Sequence, residues 1–78
     1  MSVYRVVLFN DNVNTRTLVA DVINRVCGVP LAEAATMTTQ IHTEGRATVG
    51  LSPTREAAEE LAARLLGFGL WVKVEANQ

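Results

Sequence analysis

The sequence has little of what a catalytic, metal-binding or membrane-spanning protein needs. Its 78 residues include one cysteine, Cys27, so no internal disulfide can form. A domain this small without covalent staples usually belongs to a reducing compartment. The expected place is the cytoplasm, or a plastid stroma if the chain is a mature form. There is one histidine, His42, and no cysteine pair, so no metal site is expected. The formal net charge is −1, which offers no basic field to nucleic acid. No run approaches the ~18 apolar residues of a membrane span. The start, MSVYRVVLF, enters a strand pattern directly and shows no signal peptide. Glycine-rich phosphate loops and the G-x-S-x-G nucleophile turn are missing, and the GFG stretch ends a helix rather than opening one. No cofactor is expected, and a binding module fits better than an enzyme.

What is present is enough for one modest core, since 49% of the residues are apolar. Tyr4 to Phe9 reads as a strand rich in valine and aromatics. Residues 15–27 read as a helix with Leu18, Val19, Val22, Ile23 and Val26 on its buried face, Asn14 as its cap and Gly28 after its last turn. A second helix has Pro30 in its first turn and runs to Glu44, where Gly45 stops it. Arg46 to Leu51 reads as a strand with Ala47, Val49 and Leu51 on one face. Ser52 as cap, Pro53 at the first position and Glu56 in the first turn announce a third helix. That helix buries Ala58, Leu61, Ala62 and Leu65, with Glu60 and Arg64 paired outside. Leu70 to Glu75 closes the chain as a strand with Leu70, Val72 and Val74 inward. The class is α+β: a small βααβαβ domain with a three-stranded antiparallel sheet packed against three helices. Periodicity does not give the order of the strands.

One segment asks for a further reason. The strand drops into NDNVN, where Asn10, Asp11, Asn12 and Asn14 crowd together before a helix. Such residues suit turns because their side chains bond to nearby backbone, but one or two are enough for that. His42 ends the second helix at the edge of an apolar stripe, and Thr38, four residues earlier, shares its face. A turn and a surface histidine account for these residues as well as a binding site does.

The strand end LFNDN, the helix TRTLVADVINRV and the pattern A-x-x-M-x-x-Q-I-H-x-E-G-x-A together resemble the ClpS adaptor family, over about Val6 to Glu75. The GLWVKVE ending fits too, and the details lean toward the cyanobacterial and plastid-like subtype. The resemblance implies a single adaptor core over 1–78 with almost no N-terminal extension. It implies no catalysis. Members bind N-degrons, the destabilising first residues of peptides and proteins, and hand them to the N-terminal domain of a ClpA- or ClpC-type unfoldase that feeds ClpP. Carried over by position, Asn10, Asp11 and His42 would bind the substrate α-amino group. Asn14, Arg16, Val19, Val22, Thr38 and Ile41 would line the side-chain pocket. Arg55 and Glu60 would face the unfoldase. No nucleic acid or membrane is implied as a partner.

An N-terminal ammonium has three donors and a pKa of about 7.7–8.0, so it calls for acceptors converging from several directions. An acetylated or internal residue presents one uncharged donor and leaves those acceptors partly unpaired. Three features depart from the family pattern. Asn12 stands where a second aspartate is common, removing a carboxylate. Arg16 and Thr38 stand where methionine is common; Met adapts to several apolar guests, so a narrower specificity is expected. Arg55 and Glu60 carry the docking charges in reverse order. The alternative reading is a non-catalytic protein–protein module resembling the C-terminal domain of the ribosomal stalk protein, whose elements come in a similar order.

Overall fold

The computed structural model describes residues 3–11 and 13–77. The chain runs β1 (Val3–Phe9), α1 (Arg16–Cys27), α2 (Leu31–Glu44), β2 (Arg46–Ser52), α3 (Arg55–Leu66) and β3 (Trp71–Asn77). The strands form one antiparallel sheet in the order β2-β1-β3. The first strand is therefore central, which explains why Val6, Val7 and Leu8 are all buried. Val6 and Leu8 enter the main core with Ile23, Ala34, Val49, Ala58 and Leu65. Val7 points to the opposite face, between Thr48 and Lys73 of the neighbouring strands. On that face Phe9 lies 5.4 Å from Trp71, with Arg46 and Lys73 over its ring. Arg5 and Arg46 both pair with Glu75, and the Arg46 bond is the first cause holding the Glu75 carboxyl below its usual range.

The helix ends differ from the sequence expectation in a consistent way. The cap of α1 is Thr15 rather than Asn14: its hydroxyl accepts the Leu18 N–H at 3.1 Å. The cap of α3 is Thr54 rather than Ser52, accepting the Ala57 N–H at 3.1 Å. Ser52 is instead the last residue of β2, and Pro30 precedes α2 in an extended conformation instead of joining its first turn. Gly45 ends α2 with φ 91°, and its N–H reaches the Ile41 carbonyl at 2.9 Å. Outside α3 the ion pair is Arg55–Glu59 at 3.5 Å; among the described residues Glu60 and Arg64 form none.

Two apolar residues expected inside are outside. Leu18 is 40% exposed, on the outer side of α1. Leu51 is 65% exposed because β2 carries a bulge. Val6 pairs with Gly50 and Val7 with Thr48, so Val49 is the extra residue and the alternation flips beyond it. Gly50, not Leu51, then faces α3, where a Cβ would lie 2.8 Å from the Leu61 Cδ2. No helix among the described residues is long and apolar enough to cross a membrane.

Candidate functional site

The end of β1, the start of α1, the end of α2 and the loop before β3 meet at one end of the sheet. Phe9 pairs with both Arg46 and Trp71, and the chain leaves the sheet just beyond. The Asn10 N–H donates to the Gly45 carbonyl at 2.9 Å, tying the loop to the end of α2. Asp11 then organises the turn into α1. Its Oδ1 accepts the backbone N–H of Val13 at 2.9 Å and of Asn14 at 2.8 Å, and its Oδ2 accepts the Asn14 side-chain amide at 3.1 Å. The same Asn14 amide donates to the Gly69 carbonyl at 3.2 Å, tying the loop to the approach of β3. These donors, the Asn14 backbone first, hold the Asp11 carboxyl below its ordinary value of 3.8, so it is an anion at neutral pH.

Between these elements lies a hollow of about 280 Å³. Asn10, Asp11 and His42 form its polar wall, and Leu8, Val19, Ile41 and Leu70 its apolar part. Asn14, Thr15, Arg16 and Thr38 complete the lining, with Phe9 at the strand end. The polar wall retains acceptor capacity. A carboxylate has roughly four acceptor positions, and Asp11 uses three of them. Among the described residues the side chains of Asn10 and His42 make no hydrogen bond, and both are exposed. The hydroxyls are engaged: Thr15 caps α1, and Thr38 donates to the Ala34 carbonyl at 2.8 Å.

The structure thus gathers Asn10, Asp11, Asn14, Arg16, Val19, Thr38, Ile41 and His42 around one hollow. Val22 is a correction: it is 2% exposed and packed in the core, one turn deeper along α1 than Val19. Asn12 lies outside the described residues. Arg55 and Glu60 sit elsewhere, on α3. Arg55 lines a shallow groove of about 420 Å³ with Glu59 and Lys73, while Glu60 is exposed and does not. Leu70 is a lining residue that sequence reasoning took only for core. Its signal was Gly69, whose φ of 81° turns the chain into β3, but using it required knowing that β3 pairs with β1.

By its fold and site the chain is a small α+β domain with a partly apolar hollow where two helix ends meet one end of the sheet. A family model described as ATP-dependent Clp protease adaptor protein ClpS matches residues 1–73. The chain belongs to the ClpS family. Over 72 residues it is 32% identical to the ATP-dependent Clp protease adapter protein ClpS of Mycobacterium marinum, covering 92% of this chain and 70% of that protein. Its fold matches the structure of Agrobacterium tumefaciens ClpS2 bound to L-phenylalaninamide with a TM-score of 0.91. That match covers 97% of this chain and 98% of the other at 24% identity.

Proposed function

We propose that the hollow holds the first residue of a polypeptide, with the free α-amino group on the polar wall and an apolar side chain inside, and that the domain delivers such N-degron substrates to a Clp unfoldase. The observation that carries this is the unfilled acceptor capacity of Asn10, Asp11 and His42 beside an apolar floor. A positively charged amine supplies three donors to that wall, each charge-assisted bond worth about 1.5–3 kcal/mol. The floor adds about 1.5–3 kcal/mol for one buried Leu or Phe side chain. At about 280 Å³ the hollow lies just under the range of drug-sized pockets, ~300–1,000 Å³, which suits one residue and not several. The phenylalaninamide bound by the Agrobacterium relative has this chemistry: a free amine next to an apolar side chain.

The domain acts as a binder: the hydroxyls at the hollow are held in a cap and a helix bond, and the family is one of adaptors. Its lone thiol, Cys27, is half-buried and burial pushes its pKa up, which keeps it poorly reactive, and a small domain without a disulfide suits a reducing compartment such as the cytoplasm. Delivery requires a second surface, and the groove holding Arg55 beside α3 is the part of that helix with a shape to offer the N-terminal domain of a ClpA- or ClpC-type partner.

Fluorescence anisotropy with peptides beginning in Leu, Phe, Tyr, Trp and Ile tests the reading against acetylated twins. Free peptides bind and acetylated ones do not. Equal binding of both forms contradicts end recognition. Arg16 and Thr38 narrow the set, so one or two of the five dominate; equal affinity for Leu, Phe, Tyr and Trp contradicts that part.

A further inference from the structure

A second hollow, of about 760 Å³, runs between the outer sides of α1 and α2. Thr15, Arg16 and Thr38 line both hollows, so the two adjoin at the start of α1. Leu18, 40% exposed, and Leu31, 60% exposed, supply its apolar surface. Its charged residues are Arg16 and Asp21, and Asp21 is already held by Arg25 at 3.0 Å. The groove therefore presents one cation without an ion pair among the described residues, at the rim it shares with the first hollow.

That cation has no ion-pairing task among the described residues. Arg5, Arg25, Arg46 and Arg55 each pair with a carboxylate. Arg64 lies in the last turn of α3, where a cation suits the helix dipole. Arg16 has no ion pair among the described residues and opens α1, whose first turn holds no acid. A cation there opposes the dipole, so helix stability does not explain it.

The geometry points to Arg16 as a specificity-determining residue that reads the second position of the substrate and favours an acidic side chain there, with the peptide continuing along the outer groove. This rests on the end-recognition reading of the first hollow. A residue in that hollow places its successor about 3.3 Å further along an extended chain. The shared rim of Thr15, Arg16 and Thr38 is what such a chain crosses on leaving. A glutamate at the second position meets the free guanidinium; a lysine there meets a like charge.

The test uses three peptides that share the best-binding first residue and carry Glu, Ala or Lys second, each also in acetylated form, against the wild-type protein, Arg16→Gln and Arg16→Glu. The wild type prefers Glu over Lys by roughly five- to tenfold, attraction and repulsion each counting as one exposed charge pair. Arg16→Gln flattens the order and Arg16→Glu reverses it, and 1 M salt compresses the differences. An order of Glu, Ala and Lys that is the same in all three proteins, with free peptides still preferred over acetylated ones, overturns the Arg16 role and leaves end recognition standing. Acetylated peptides binding like free ones, or no peptide binding, removes end recognition and this inference together. Arg16 is exposed, so both variants fold, and Arg16→Gln keeps the test valid without adding a charge.

Discussion

Helices α1 and α3 begin alike and are finished differently. Each is 12 residues long, each has a threonine cap accepting the third N–H at 3.1 Å, and each opens with an arginine. In α3 the opening is completed within the chain. Glu56 sits in the first turn, Arg55 pairs with Glu59, and its guanidinium lies 5.3 Å from the Tyr4 ring centroid. In α1 the first turn has no acid, Arg16 pairs with nothing among the described residues, and hollows open on both sides. The same local device thus serves a scaffold in one place and a site in the other. What separates them is whether the polar groups find partners inside the chain; those that do not are the ones left for a ligand.

The largest effect expected comes from the acids beside these two starts. Asp11→Ala removes three hydrogen bonds from the loop and a charge from the polar wall. Urea denaturation is expected to show a loss of about 1–2 kcal/mol, and peptide titration a loss of about 2–3 kcal/mol, the worth of bonds to a charged group. Glu56→Ala costs stability only, about 0.3–1 kcal/mol, and leaves peptide affinity unchanged. Equal loss of binding in both variants would erase the distinction between the helices. His42→Ala sharpens it: the side chain is exposed, so affinity falls by about 1–3 kcal/mol while stability holds. The pH dependence comes from the lowered Asp11 value. Its stabilising share is fully present above the ordinary value of 3.8 and is lost as pH falls through the lower folded value. The loop is therefore unaffected by Asp11 protonation between pH 7 and 5, and urea titrations at those two values should place no difference on it.

The capping threonines come next. Thr15→Ala and Thr54→Ala each cost about 1 kcal/mol of stability, since each leaves one helix N–H without its acceptor. Thr15→Ala also weakens peptide binding, because Thr15 lines the hollow and sets the path from Asp11 into α1. Thr54→Ala does not. If both variants bind peptide as the wild type does, the start of α1 is scaffold after all.

Both caps were missed by sequence reasoning, for one reason. In each case the first polar residue of the run was assigned the cap, and in each case it had another partner. Asn14 bonds to Asp11 and to the Gly69 carbonyl 55 residues away, and Ser52 stays in the sheet opposite Tyr4. Contacts of that range leave no local mark. Leu51 was misplaced because a bulge is invisible to a count of alternating residues, although Gly50 hinted at it. The α+β class and the extent of α2 were legible, since apolar periodicity and Gly45 dictate them. At the hollow, Asn10, Asp11 and His42 were picked out by the family resemblance, since their pattern alone fits a turn and a surface histidine equally well, whereas Leu70 depended on sheet order, and Val22 on how deep the hollow reaches along α1.

The smallest effect is a difference in sign. Arg55→Ala relieves the same helix-end cation but removes an exposed i, i+4 pair and a cation–π contact with Tyr4, about 0.2–0.5 and about 0.5–1 kcal/mol, which together outweigh it, so stability falls by about 0.5 kcal/mol or less. Arg16→Ala removes a cation from the positive end of a helix and breaks no ion pair among the described residues, so stability rises by about 0.3–1 kcal/mol. Opposite shifts from the same substitution at the same helix position arise only if Arg16 is kept against stability and Arg55 for it. Urea midpoints at low salt read the two shifts, and at 1 M salt both shrink because exposed charges are screened. A fall for Arg16→Ala equal to that for Arg55→Ala means Arg16 has a stabilising partner in solution. The unpaired cation at the rim of the hollow would then be part of the scaffold, and α1 would begin in the same way as α3.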